Sequence, residues 1–146
     1  MKLSDFISPT CALFLCVIVS CNNIYQGNQL STKELAQIRK LGLLDTDEKI
    51  YQFYSNNQGV KGAGNFYTTK RIANYWLYRG NRQIDFAYYR DITRISLTTH
   101  PSGDFTIPFI TITRRDSTQF KVYVDGKESE IKNFLSGCQT HWRAGQ

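Results

Sequence analysis

Between Lys49 and Val124 the apolar side chains fall in short runs with a period near two. That period marks strands with one face turned to a core. Seven strands are predicted, over 49–54, 62–68, 71–78, 83–89, 92–99, 105–113 and 119–124. In the second, Phe66 and Thr68 share one face and Asn65 and Tyr67 the other. In the fourth, Ile84, Phe86 and Tyr88 alternate, and in the seventh Phe120, Val122 and Val124 do so. The fifth breaks alternation once among Ile92, Ile95 and Leu97, which predicts a bulge or corner. Pro108 inside the sixth requires an edge or a bulge, because proline donates no hydrogen bond to a ladder. Turn-forming residues separate the runs: 55–61, Arg79-Gly80-Asn81, 101–104 and Asp116-Ser117.

Two helices flank the strands. Ser31 and Glu34 have the spacing of a capping box, and Leu35, Ile38 and Leu41 follow on one face, giving a helix over 31–44. Asp125 and Glu128 have the same spacing before a longer helix. Its stripe is Ile131, Phe134, Leu135, Cys138 and Trp142, which needs a sheet to cover.

Nine Tyr, nine Phe and two Trp suit strands, and 146 residues suit one domain. The net charge of +6 is carried by scattered Lys and Arg, with no run longer than two. The expected reading is a solvated basic surface rather than a polyanion site, and no nucleic-acid partner is expected. Three of the aromatic tyrosines, Tyr51, Tyr89 and Tyr123, join Tyr67 and Tyr75 opposite several core candidates, and any left exposed would suit a protein interface.

The first segment has a different character. Residues 11–19 form an apolar run too short to span a bilayer and of the length of a signal-peptide core. It stops at Ile18-Val19-Ser20-Cys21, followed by Asn22-Asn23. This segment resembles the lipobox of bacterial lipoproteins. The resemblance implies cleavage between Ser20 and Cys21, a diacylglycerol thioether on Cys21 and acylation of the new amine. Asn22 after the cysteine implies, by enterobacterial sorting, an outer-membrane destination facing the periplasm or the surface. Several acyl chains give a firm anchor where one gives a marginal one. Residues 1–20 are then a signal peptide, 21–30 a lipidated tether, and 46–146 the folded domain. Of the four cysteines only Cys138 would remain free, which excludes an intramolecular disulfide and reads as a buried thiol.

Seven strands and one terminal amphipathic helix predict a mainly β, α+β fold, with the helix covering one open end or corner of a barrel or two orthogonal sheets. Here residues 46–143 resemble bacterial pleckstrin-homology-like (PH-like) domains. The segments that carry the resemblance are Gly64-Asn65-Phe66-Tyr67-Thr68-Thr69-Lys70-Arg71-Ile72, Tyr89-Arg90-Asp91-Ile92-Thr93-Arg94-Ile95, and the last helix with Phe134 and Trp142. The resemblance implies a binding or scaffolding module, with a partner protein of the envelope as the expected ligand. It also places Lys61, Lys70 and Arg71 where related domains hold the phosphates of an anionic lipid headgroup, an alternative role.

No catalytic constellation is found, so an enzyme is not expected; an envelope enzyme with an unrecognised site is the remaining alternative. His100 and His141 lack metal-ligand spacing, and no metal or cofactor is expected. Asp45, Asp47 and Glu48 read as a solvated linker, because the calcium-loop pattern is missing. The glycines at 59, 62 and 64 are not followed by the Gly-Lys-Ser/Thr of a phosphate loop.

Overall fold

The computed structural model describes residues 24–56, 59–99 and 107–146. Five antiparallel strands form one sheet in chain order: β1 (Ile24–Gln26), β2 (Ile50–Tyr54), β3 (Ala63–Thr68), β4 (Arg71–Tyr78) and β5 (Asn81–Tyr88). Three more form a second antiparallel sheet: β6 (Ile92–Thr98), β7 (Phe109–Arg114) and β8 (Gln119–Tyr123). The helices are α1 (Thr32–Lys40), α2 (Gly59–Gly62) and α3 (Glu128–Ala144). The fold is therefore mainly antiparallel β with a C-terminal helix. Among the described residues no strand pairing joins the two sheets, so they do not close into a barrel.

The eighth strand comes from the segment expected as a tether. Ile24 and Tyr25 pair with Tyr54 and Phe53, and Leu30 is buried, so the chain is part of the fold from Ile24 onward. The physical reason is that β2 offers a bare edge, and two apolar residues are enough to occupy it. Cys21, Ser20 and the rest of 1–23 lie outside the described residues, as do His100 and the turn expected at 101–104.

The two faces of the larger sheet bury separate cores. Between the sheets and under α3 lie Tyr67, Ile72, Ile92, Ile110, Ile112, Val122, Phe134 and Cys138. On the other face Ile38, Leu43, Phe53, Phe66, Ala73 and Tyr75 pack beneath α1 and the segment after it. β3 is the strand between them, and all six of its residues are buried. Its alternation sends Phe66 to one core and Tyr67 to the other.

Local signals explain most element ends. Ser31 caps α1, its Oγ accepting from Glu34 N–H at 3.3 Å while Ser31 N–H donates to Glu34 Oε2 at 2.7 Å. The helix stops at Lys40, short of 44, and Gly42 with φ +79° turns the chain away. Arg79 and Gly80, both at positive φ, make the two-residue hairpin between β4 and β5. The register of β6 shifts between Ile92 and Arg94, at the expected break in alternation. β7 begins after Pro108 rather than spanning it, which spares the ladder a missing donor. The box before α3 uses Lys127 and Glu130 instead of Asp125 and Glu128, with Lys127 N–H donating to Glu130 Oε2 at 2.8 Å. Val124, just past β8, is buried in the core before that cap. The apolar stripe of α3 is as expected: Ile131, Phe134 and Cys138 are buried, and Trp142 Nε1–H donates to Ile92 C=O at 3.1 Å.

Candidate functional site

The chain places polar amides where strand alternation calls for core. On β4, Asn74 lies between Ile72 and Trp76 on the face turned toward the second sheet. Asn65, its register partner on β3, shares that face with Tyr67, and Tyr54 on β2 is the next partner in the row. Asn65 and Asn74 are both buried. A buried amide is stable only if its donors and acceptors are met. Here the partner is the edge of β8. Tyr123 N–H donates to Asn65 Oδ1 at 2.9 Å, and Asn74 Nδ2–H donates to Lys121 C=O. Two side chains thus do for β8 what a neighbouring strand would do, and they join the sheets where no strand pairing does.

A cavity of about 360 Å³ opens at this junction. Asn65, Asn74, Asn56 and Gln83 contribute amides to its wall. Tyr54, Trp76, Tyr123 and Ile107 contribute most of the remainder, with Trp76, Tyr123 and Ile107 exposed, while the ring of Tyr75 packs on the opposite face of the sheet. Tyr75 O–H donates to Val60 C=O at 2.5 Å, which fixes α2 against β4. Burial pushes the Tyr75 phenol well above its ordinary pKa; burial, then the Asp125 charge, raises that of Tyr54. Both are neutral phenols at physiological pH. The cavity wall therefore offers aromatic surface and neutral hydrogen-bonding groups. Asn74 Oδ1 is buried with no partner among the described residues. Rotating that amide does not cure this, because its nitrogen is needed by a carbonyl that can only accept.

The cations singled out from the sequence do not gather. Lys61 lies in α2, just before β3, and Lys70 follows β3. The six residues of that strand put them roughly 20 Å apart at 3.3 Å per residue. Arg71 is buried, and Glu48 holds it with Arg71 Nη2 to Oε2 at 2.7 Å and Nε to Oε1 at 3.0 Å. Asp45 reaches the same Nη2 at 2.9 Å. Phe86 and Tyr88 lie 5.2 and 4.7 Å from the guanidinium carbon, measured to their ring centroids. Lys70 Nζ pairs with Asp47 at 2.8 Å and Asp45 at 3.2 Å. The acidic stretch expected as a solvated linker is thus in part structural: Glu48 is buried because it neutralises Arg71. This network also takes in Thr68, whose hydroxyl donates to Glu48 Oε1 at 2.5 Å.

Of the aromatic candidates, Tyr67, Tyr75 and Tyr89 are buried and Tyr51 and Tyr123 are exposed. Tyr51 stacks on His141 with ring centroids 3.9 Å apart. Among the described residues no group of three His, Cys, Asp or Glu side chains could hold a metal ion. Nor is any described helix long and apolar enough to cross a membrane. Cys138 is wholly buried, and burial raises its thiol well above the usual range. The sequence offered one signal for the amide row that reading by residue class missed: Asn74 sits at an alternation step shared with Ile72.

No family model, curated protein or solved structure matches this chain.

Proposed function

We propose that this chain is a lipid-anchored lipoprotein of the bacterial envelope whose PH-like domain is a binding module. The aromatic and amide-lined cavity at the junction of the sheets is its ligand site, and that cavity carries the reading. Trp and Tyr side chains give large contact area at low cost in conformational entropy, and convergent amides fix orientation. The arrangement of the strands is compatible with a PH-like domain: four strands (β2–β5), then three (β6–β8), then a helix on the inter-sheet core. On this reading β1 and α1 are additions that cover the outer face of the first sheet. The lipid on Cys21 would hold the domain at the membrane, with the partner an envelope component. Headgroup recognition by Lys61, Lys70 and Arg71 draws no support, since carboxylates already neutralise two of the three.

The test is crosslinking in the native host. A photoreactive benzophenone amino acid at Tyr123, on the cavity wall, inserts into C–H bonds of any partner class. The same group at Arg39, exposed on α1, is the control. A discrete adduct from position 123 and none from 39 is expected. Equal labelling from both positions, or none from either, would remove the binding-site reading.

A further inference from the structure

We infer that the cavity at the junction of β8 with β3 and β4 is a site for a neutral saccharide. The inference rests on the binding-module reading and gives its ligand a chemical class.

Charge comes first. The chain carries +6, yet every described side chain on this wall is an amide, a phenol, an indole or an alkyl group. An ionic ligand would lose its hydration without gaining a counter-charge. A neutral ligand does not meet that cost.

Chemistry comes second. A sugar ring presents an apolar face of C–H groups and a rim of hydroxyls. The face matches an exposed indole or phenol ring, here Trp76 and Tyr123. Each hydroxyl both donates and accepts, and so does each amide, here Asn65, Asn74 and Gln83. Asn74 Oδ1 makes this more specific. It is a buried acceptor on a residue that lines the cavity, and its amide orientation is fixed through Lys121 C=O. An O–H donor brought to that oxygen would give it the partner that no described residue supplies.

The edge of β8 comes third. An extended peptide would bind by adding to a free strand edge through main-chain hydrogen bonds. At this site the Tyr123 N–H and the Lys121 C=O are already taken by Asn65 and Asn74. Recognition falls to side chains, which favours a ligand rich in its own hydroxyls.

The experiment is a printed array of neutral and acidic oligosaccharides, probed with the detergent-purified full-length chain. Titration calorimetry then follows with the neutral oligosaccharide that binds best. Saturable binding to neutral glycans is expected, weakened at least tenfold by Trp76→Ala and several-fold by Gln83→Ala. Both positions are exposed, so both variants should melt within a few degrees of the parent. No binding to neutral glycans, preference for acidic ones, or binding indifferent to Trp76→Ala would each overturn the saccharide assignment. If the array is blank while the crosslink at position 123 persists, the saccharide class falls and the binding module stands. If both are blank, both fall.

Discussion

Arg71 and Glu48 form a two-pronged ion pair in the interior, with Nη2–Oε2 at 2.7 Å and Nε–Oε1 at 3.0 Å. It ties the segment after α1 to the start of β4. Burial pulls the guanidinium pKa down, and the Glu48 hydrogen bond and charge, then Asp45, outweigh it and leave that pKa raised. Two buried charges are costly apart and tolerable together. Removing one partner strands the other. Arg71→Met is therefore expected to destabilise by about 3–5 kcal/mol in urea unfolding, and Glu48→Leu by a similar amount. The double variant should recover much of that loss, because no uncompensated charge remains between those two positions. A single variant within about 0.5 kcal/mol of the parent, the usual span for a plain surface change, would show that the pair is screened by water.

The exposed part of the same network sets a pH dependence. The Lys70 hydrogen bond, then Arg71, holds the Asp45 carboxyl below its ordinary value of 3.8. Lys70 does the same for Asp47. A folded-state pKa below the unfolded one means that the native chain resists protonation. The stabilisation is complete above about pH 4 and is lost as pH falls through the lowered values. The melting temperature is expected to drop between pH 4 and pH 2, and Asp45→Asn with Asp47→Asn should flatten that drop. Both carboxylates face solvent, so salt should shrink the difference as well. An unchanged slope in the double variant would put the acid sensitivity elsewhere.

The strand pattern, the hairpin at Arg79-Gly80, the Ser31 cap and the stripe of α3 were legible because each is a local signal. What escaped was non-local. β1 is three residues long and owes its form to the edge of β2. Arg71 reads as a surface cation until Glu48, 23 residues away in sequence, is seen to lie against it. Asn74 carries no signal in the sequence until the strand face it shares with Ile72 is known to be the inner one. A polar residue at a core step of the alternation is the signal to follow. It needs the partner sheet before it acquires a meaning.

The proposed anchor on Cys21 makes a separate prediction. Three acyl chains hold a protein on a bilayer through washing, whereas charge attraction alone does not survive high salt. The parent chain should remain with membranes in high salt and partition into detergent. Cys21→Ser should instead accumulate uncleaved or leave the membrane. If the variant is cleaved and still resists extraction, Cys21 carries no lipid that matters.

Gly137 on α3 sets two effects of opposite sign against each other. Alanine in a helix interior is ordinarily favoured over glycine by about 1 kcal/mol. A Cβ at Gly137, however, would meet Tyr67, coming within 2.5 Å of Cζ and nearer still to the hydroxyl. Tyr67 cannot swing away, since it is buried and packs edge-on against Phe134 with centroids 5.1 Å apart. Overpacking in a filled core costs about 1–3 kcal/mol. The clash should win, so Gly137→Ala is expected to destabilise despite its better helix propensity. Tyr67→Phe removes the nearest atom and should reduce the penalty of the alanine without abolishing it. A double-mutant cycle by urea unfolding reads this as a coupling between the two positions. Zero coupling would mean that α3 shifts bodily to make room, and that the inter-sheet core beneath it is looser than its burial suggests.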